Sequence, residues 1–150
     1  MIRSWIMKYT KIMNEHVNKI EHKLSGKYQV DEQMVKSKGK WVWSWNALDE
    51  ETRFLIANTI KKERGIKDTR EVFKKIKEIT NQRPTKIKTD GLWSYEKAIK
   101  KEFLTRKHRK EGTEHIRNVG VAKECNNNLI ESYHGEFREF DKVKRDLNQI

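Results

Sequence analysis

Three acidic residues lie at positions along the chain where carboxylates can do chemistry. Asp31 falls inside a run of alternating residues, Asp90 ends a short apolar run before Gly91, and Glu131 follows the triple asparagine at 126–128. Three converging carboxylates repel one another without cations, and they provide the hard oxygen environment that Mg²⁺ or Mn²⁺ prefers. Two such ions about 3.5–4 Å apart can drive an in-line phosphodiester displacement. The pattern therefore indicates metal-dependent phosphoryl chemistry, which needs carboxylates rather than histidines.

Each of these carboxylates also has a purely structural interpretation. Asp31 can be a solvated residue on an edge strand, and Asp90 can form a turn, because Asp-Gly is a common turn pair. Glu131 can cap a helix through a capping-box variant over residues 128–131. Taken singly, each structural interpretation is favoured. Taken together, in the element order and with the surrounding residues of the family resemblance described below, the three residues favour a metal site.

The composition indicates a polyanionic partner. The 150 residues include 34 Lys and Arg against 22 Asp and Glu, which leaves a net charge of +12, and such a balance favours nucleic acid over a neutral metabolite. No segment approaches the roughly 20 apolar residues of a spanning helix, and the N-terminus lacks the apolar run of a signal peptide. We expect no membrane partner and a cytoplasmic location, associated with the nucleoid if the source is prokaryotic.

Cysteine chemistry is not expected. The single cysteine, Cys125, cannot form an internal disulfide, and no CxxC pair or His/Cys cluster has the spacing of a zinc site. We assign Cys125 no role.

The first half of the chain predicts a helix followed by three strands. Residues 27–36 and 40–48 alternate around a turn at 37–39, and residues 53–58 supply a third antiparallel strand. Trp41, Trp43 and Trp45 share one strand face, which we interpret as core, with base stacking as the alternative. The helix precedes these strands and ends near Ser25-Gly26; its apolar residues recur at three- and four-residue steps: Trp5, Tyr9, Ile12, Met13, Val17, Ile20 and Leu24.

The second half predicts alternating helices and strands. A capping-box pattern at 68–71 starts a helix that ends before Pro84, a strand covers 87–90, and a helix covers 93–103. A polar, basic stretch at 105–123 precedes a last helix that opens at 126–128. This order predicts an α/β fold in which a mixed five-stranded sheet is flanked by helices, as in RNase H-like proteins. Residues 1–26 form a linker or packing helix, and residues 27–150 form the catalytic core.

Five groups of residues, in this order, carry a family resemblance: Val30-Asp31-Glu32; Trp45-Asn46-Ala47-Leu48-Asp49; Thr52-Arg53-Phe54; Thr89-Asp90-Gly91 with Tyr95 and Ala98-Ile99; and Asn126-Asn127-Asn128-Leu129-Ile130-Glu131 with His134. Together they make the stretch from residue 5 to 147 resemble an insertion-sequence DDE transposase, related to retroviral integrases. The resemblance implies an RNase H-like fold and metal-dependent DNA strand cleavage and strand transfer. It implies Asp31, Asp90 and Glu131 as ligands of two Mg²⁺ or Mn²⁺ ions. It also implies transposon ends and target DNA as partners, and a homodimer or higher multimer on DNA.

The chain departs from the family pattern in two respects. Forty residues separate Asp90 from Glu131, a few more than the roughly thirty-five usual in the family, so residues 106–120 are expected to form a longer loop or an extra strand turn. The family also implies a helix-turn-helix before residue 1 and a basic, aromatic-rich segment after Ile150. The chain is therefore interpreted as a truncated copy or a fragment.

Two further residues share a helical face with Glu131. His134 and Arg138 follow it by three and seven residues. Arg138 suits a DNA phosphate, because a guanidinium matches phosphate oxygens. His134 is either a packing partner or a contact to a metal ligand or phosphate.

Three functions follow from the sequence. The leading one is a DDE transposase core. An RNase H-like nuclease that cuts without joining would use the same metal centre. A transposon-derived remnant that only binds nucleic acid is the third, although the presence of all three carboxylates argues against simple decay of the site.

Overall fold

A computed structural model of the chain describes residues 2–17, 19–20, 23–103, 112–117 and 128–147, the last stretch with side chains up to residue 142. Cys125 and most of the polar stretch at 105–123 lie outside these residues. Within them, the sheet starts as an antiparallel meander of β1 (Lys27–Ser37), β2 (Lys40–Asp49) and β3 (Leu55–Lys61). The predicted strands are confirmed, although the third begins two residues later than expected and runs three residues further.

The turn between β1 and β2 has a clear chemical cause. Its two residues, Lys38 and Gly39, both have positive φ angles of 49° and 77°. Two successive left-handed residues are typical of a type I′ turn, whose twist matches that of the flanking strands. The turn fixes the register in which Asp31 lies opposite Asn46 on β2.

Two parallel strands complete the sheet on the other side of β1. They are β4 (Lys86–Thr89) and β5 (Glu114–Arg117), and the strand order is β3-β2-β1-β4-β5. The mixed five-stranded sheet predicted from the sequence is thereby confirmed. The strand β5 lies within the basic stretch for which a longer loop or an extra strand turn was expected.

Helices cover both faces of the sheet. One face carries α2 (Ile66–Thr80) and α3 (Trp93–Phe103), and the other carries α4 (Asn128–Leu147) beside β1 and β2. The predicted capping box is wrong, because α2 begins at Ile66 after Gly65 without a side-chain cap, and Asp68 lies inside its first turn. The helix ends at Thr80, and the capping residue Asn81 adopts the left-handed conformation and donates its amide to the Lys77 carbonyl.

The apolar core lies between the sheet and the pair α2 and α3. Trp45 is fully buried there, with its ring 5.7 Å from that of Tyr95. Only part of the strand face formed by Trp41, Trp43 and Trp45 lies in the core. Trp43 is partly buried, and Trp41, near the hairpin end, is exposed. The buried residues of the core are Tyr28, Val30, Trp45, Ala47, Ile56, Ala57, Val72, Phe73, Ile76, Ile87, Tyr95, Ala98, Ile99 and Phe103.

The N-terminal helix α1 (Ile2–Val17) is shorter than expected and ends well before Ser25-Gly26. None of its side chains is buried. None of the helices in the described ranges is both long and apolar enough to cross a membrane.

Candidate metal centre

The pairing of β1 with β4 brings Asp31 and Asp90 together. The two strands run parallel, with Lys27 beside Lys86 and Gln29 beside Lys88. The same offset along the chain places Asp31 beside Asp90, one residue beyond the end of β4. Sites in sheets with parallel strands tend to form outside the carboxyl ends of strands, and this position fits that rule.

A third carboxylate joins them. Oxygens of Asp31, Glu32 and Asp90 all lie within 4.8 Å of one another. Glu32 was not among the predicted site residues, because alternation along a strand sends neighbouring side chains to opposite faces. The Asp31 Oδ1 atom accepts the Glu32 amide at 2.9 Å. The Asp31 carboxylate therefore lies toward the next residue of the strand, Glu32.

Glu32 itself is bound from the core side. Its side chain is 1% exposed, Oε1 accepts from the Arg64 guanidinium at 2.6 Å, and Oε2 accepts the Tyr95 hydroxyl at 2.5 Å. Burial raises the pKa of Glu32 above its usual value, and the contacts to Tyr95 and Arg64 oppose that rise. Both oxygens of this carboxylate are therefore already used within the protein.

Asp31 carries the strongest electrostatic signal of the site. Its side chain is 16% exposed. Burial first, and then the negative charges of Glu32 and Asp90, raise its pKa from 3.8 to about 7. A bound divalent cation would relieve both causes, because it offsets the lost hydration and the repulsion. The donor set therefore fits Mg²⁺ or Mn²⁺, which prefer carboxylate oxygens.

Asp90 serves the turn as well as the cluster. Its Oδ1 atom accepts the Leu92 amide at 2.9 Å, just before α3 begins. Arg117 on β5 donates to the Gly91 carbonyl, with its Nε atom at 3.0 Å. Asp90 therefore forms a turn, as its structural interpretation predicted, and the same turn holds its carboxylate at the cluster.

Glu131 lies in the first turn of α4, and its side chain is exposed. It is near enough for its charge to contribute to the raised pKa of Asp31, but it lies outside the 4.8 Å cluster. Within the described residues its carboxylate has no hydrogen bond, and the Ile130 amide is satisfied by the Gln29 side chain at 3.3 Å. The geometry thus gives Glu131 no capping partner there and leaves it free to face a cation.

A chain of polar side chains supports Asp31 from the α4 face. Asn58 donates to Asn46 Oδ1 at 2.6 Å, and Asn46 Nδ2 lies 3.0 Å from His134 Nε2. Because this amide nitrogen donates, Nε2 accepts and the ring proton lies on Nδ1, which faces Asp31 Oδ2 at 3.6 Å. Burial first, and then the charge of Arg138, lower the pKa of His134 to about 4. The imidazole is therefore neutral and points its N–H at the carboxylate.

The two residues that share the Glu131 face thus occupy different environments. His134 is buried behind Asp31, whereas Arg138, one turn further along α4, is exposed. Arg138 is available to a phosphate in this arrangement. His134 contacts a residue of the acidic cluster.

Asn46→Ala is expected to destabilise the protein by about 2 kcal/mol. The variant leaves buried polar atoms of His134 without a partner, and such losses cost about 1–3 kcal/mol. The measurement is urea unfolding in the presence of EDTA. The matched control is Asn14→Ala, because Asn14 is an exposed asparagine on α1, a helix without buried side chains. Equal losses in the two variants would contradict the polar chain as a support for the site.

Comparison with known proteins agrees with this architecture. A family model described as a DDE domain, of the IS240 transposase type, matches residues 25–150. No curated protein is a significant match. Two structures of the HTLV-2 integrase catalytic core in complex with magnesium are similar. The trimeric form has 14% identity and a TM-score of 0.56, the dimeric form 15% and 0.59, and each match covers 87% of this chain and 79% of the viral one.

A simian T-cell lymphotropic virus intasome in complex with a PP2A regulatory subunit is also similar. The identity is 16%, the TM-score is 0.56, and the match covers 77% of this chain. The match spans only 40% of the viral chain. At these identities the likeness establishes the integrase-like RNase H fold.

Proposed function

Because the chain belongs to the DDE domain family of insertion-sequence transposases, we propose that it cuts and joins DNA strands with two divalent metal ions held by Asp31, Asp90 and Glu131. The observation that carries the proposal is the parallel register that sets Asp31 beside Asp90, with the Asp31 carboxylate buried among like charges. Within the described residues, the one group of three potential metal ligands contains Asp31 and Asp90, together with Glu32.

The side chains of the centre have distinct tasks in this proposal. The Asp31 carboxylate accepts the Glu32 amide and lies 3.6 Å from His134 Nδ1, and Asp90 is held by its own turn. Glu131 lies on α4, on the same side of the sheet as Asp31, and its side chain is exposed. Bound Mg²⁺ or Mn²⁺ ions would activate a water or a 3′-hydroxyl and stabilise the leaving oxygen of an in-line displacement.

DNA is the proposed substrate, both as transposon ends and as target. A net charge of +12 favours a polyanion. The exposed Arg138 is near enough to His134 for its charge to lower the pKa of that imidazole, and a guanidinium suits a phosphate oxygen. The similar viral proteins are described as an intasome and as dimeric and trimeric cores. We extend this to a homodimer or higher multimer of this chain on DNA.

The test is a plasmid assay. Supercoiled DNA is incubated with the protein and Mn²⁺ or Mg²⁺, with and without EDTA, and open-circular and strand-joined products are quantified. Nicking is expected with metal, and none is expected with EDTA or in Asp90→Asn. Asp68→Asn is the matched control, because Asp68 lies in the first turn of α2 outside the cluster.

Each outcome of this assay selects one function. Nicked and joined products together support the transposase. Nicked products without joined ones, even when a pre-cut end is supplied, favour a nuclease that only hydrolyses. DNA binding without any nicking contradicts the catalytic proposal and favours a nucleic-acid-binding remnant.

A further inference from the structure

Glu32 belongs to the acidic cluster by distance but is engaged from the opposite side. Its carboxylate accepts from Arg64 through Oε1 and from Tyr95 through Oε2, at 2.6 and 2.5 Å. Hydrogen bonds to a charged acceptor are among the strongest in proteins. Each oxygen of Glu32 thus has a donor on the core side, and the two donors fix the orientation of the carboxylate away from an ion at Asp31 and Asp90.

Both donors are themselves fixed by aromatic packing. The Arg64 guanidinium lies 4.5 Å from the centre of the Trp43 ring, a cation–π arrangement. Tyr95 is fully buried, with its ring 5.7 Å from Trp45 and 6.1 Å from Phe73. Arg64 follows β3 and Tyr95 lies on α3, so two separate elements of the core face hold the same carboxylate.

We propose that Arg64 and Tyr95 act as positioning residues that keep Glu32 from coordinating the metal ions, so that the ligand set remains Asp31, Asp90 and Glu131. This inference rests on the proposed metal function. Glu32 contributes fixed negative charge behind the site, while each of its oxygens accepts a hydrogen bond from the core side. Without this restraint, a fourth carboxylate within 4.8 Å of Asp31 and Asp90 would bind an ion directly.

An additional carboxylate ligand has a predictable effect. Hard cations bind more tightly as the number of charged oxygen ligands rises. Tighter binding does not mean faster catalysis, because a position occupied by a side chain is closed to water and to the DNA oxygens. Release of Glu32 therefore raises metal affinity and lowers the nicking rate.

The test is Tyr95→Phe, which removes one hydrogen bond from Glu32 without changing any charge. Mn²⁺ affinity is measured by electron paramagnetic resonance of the free ion, and the melting temperature is measured with and without Mn²⁺. We expect about tenfold tighter Mn²⁺ binding from the added carboxylate ligand, which is opposite in sign to the loss of affinity that follows when a true metal ligand loses an outer hydrogen bond. We also expect a larger Mn²⁺-dependent rise in melting temperature and slower nicking at saturating Mn²⁺.

The matched control is Tyr28→Phe. Tyr28 is also fully buried, and its hydroxyl accepts a hydrogen bond from Gln82 at 2.9 Å, away from the cluster. Its loss should lower the melting temperature without changing Mn²⁺ affinity. A general loosening of the fold would affect the two variants alike.

A double-mutant cycle assigns the effect to Glu32. In a Glu32→Gln background, Tyr95→Phe should no longer tighten Mn²⁺ binding. The proposal is overturned if Tyr95→Phe leaves the affinity unchanged or weakens it, or if the increase persists in the Gln background. If Tyr95→Phe does not fold, Arg64→Lys replaces it in the same cycle, because lysine keeps the charge but loses the guanidinium fork.

The two proposals fail in different ways. An unmodified protein that does not bind Mn²⁺ contradicts the metal function itself. An unmodified protein that binds Mn²⁺ and nicks DNA, with a Tyr95→Phe variant of equal affinity, contradicts only the role given to Arg64 and Tyr95.

Discussion

Glu131→Gln is expected to lower metal-dependent nicking by on the order of a hundredfold or more, equivalent to about 2.7 kcal/mol or more in the activation barrier. The amide keeps the shape of the side chain but loses the charge that a hard divalent cation requires. Stability should fall by only about a few tenths of a kcal/mol, because the carboxylate is exposed and loses only its interaction with the helix dipole. Nicking with Mn²⁺ and thermal melting in EDTA are measured on the same preparation.

Glu136→Gln is the matched control, since Glu136 is an exposed glutamate on the same helix. It should nick DNA at the unmodified rate. A folded Glu131→Gln protein that nicks normally would remove Glu131 from the ligand set. The search for a third carboxylate would then turn to Glu124, which lies outside the described residues, and to Glu136.

Asp31→Asn is expected to make the metal-free protein more stable at pH 8, by up to about 4 kcal/mol. The pKa of Asp31 in the folded protein is raised from 3.8 to about 7, and a difference of one pKa unit between the folded and unfolded states corresponds to about 1.36 kcal/mol. Between about pH 4 and 7 the folded state therefore holds a proton that the unfolded chain releases, and at pH 8 the folded state carries the unfavourable buried charge. The stability that Asp31 contributes is fully present below about pH 4 and is lost as the pH rises through about 7.

The measurement is urea unfolding in EDTA at several pH values between 4 and 8. The unmodified protein should lose stability across this window, and Asp31→Asn should lose much less. Added Mn²⁺ should stabilise the unmodified protein at pH 8 and have little effect on the variant, because ligand binding to the folded state is what raises its stability. If the stability of both proteins falls equally with pH, the charge of the Asp31 carboxylate does not destabilise the folded state.

Asp49→Asn is a control for which the expected change in stability at pH 8 has the opposite sign. Asp49 is also buried, but its carboxylate accepts four hydrogen bonds, from the amides and hydroxyls of Ser25 and Thr52. Its pKa lies below the usual value, because these hydrogen bonds outweigh its burial. Replacing this charge should therefore destabilise the protein at pH 8, whereas replacing Asp31 should stabilise it.

The sequence predicted most of the sheet because its local signals are strong. Alternation defined β1 and β2, and the two left-handed residues Lys38 and Gly39 fall within the predicted turn. Signals at helix ends were weaker. The apparent capping box at 68–71 lies inside α2, because Gly65 and the packing of the helix on the core set its start instead.

The candidate site was predictable only in part, for a related reason. Asp31 and Asp90 stand at recognisable positions in the predicted strands, Glu131 stands at the start of the last predicted helix, and the resemblance to DDE transposases implied all three as metal ligands. Glu32 was missed because alternation assigns it to the core face, and its partners Arg64 and Tyr95 are 32 and 63 residues away. No local pattern reports contacts over such separations. The link from Asn46 to His134 spans 88 residues and was missed for the same reason.

The short strand β4 constrains where the chain can gain or lose residues. Its entrance is fixed by the Gly26 carbonyl, which accepts the amides of Thr85 and Lys86 at 2.8 and 3.2 Å. One residue added or removed between Thr85 and Asp90 would rotate the aspartate to the opposite side of the sheet, because strand side chains repeat every two residues. Length changes between the end of β3 and Arg64 would leave that register intact. Natural variation in chain length should therefore spare residues 85–90.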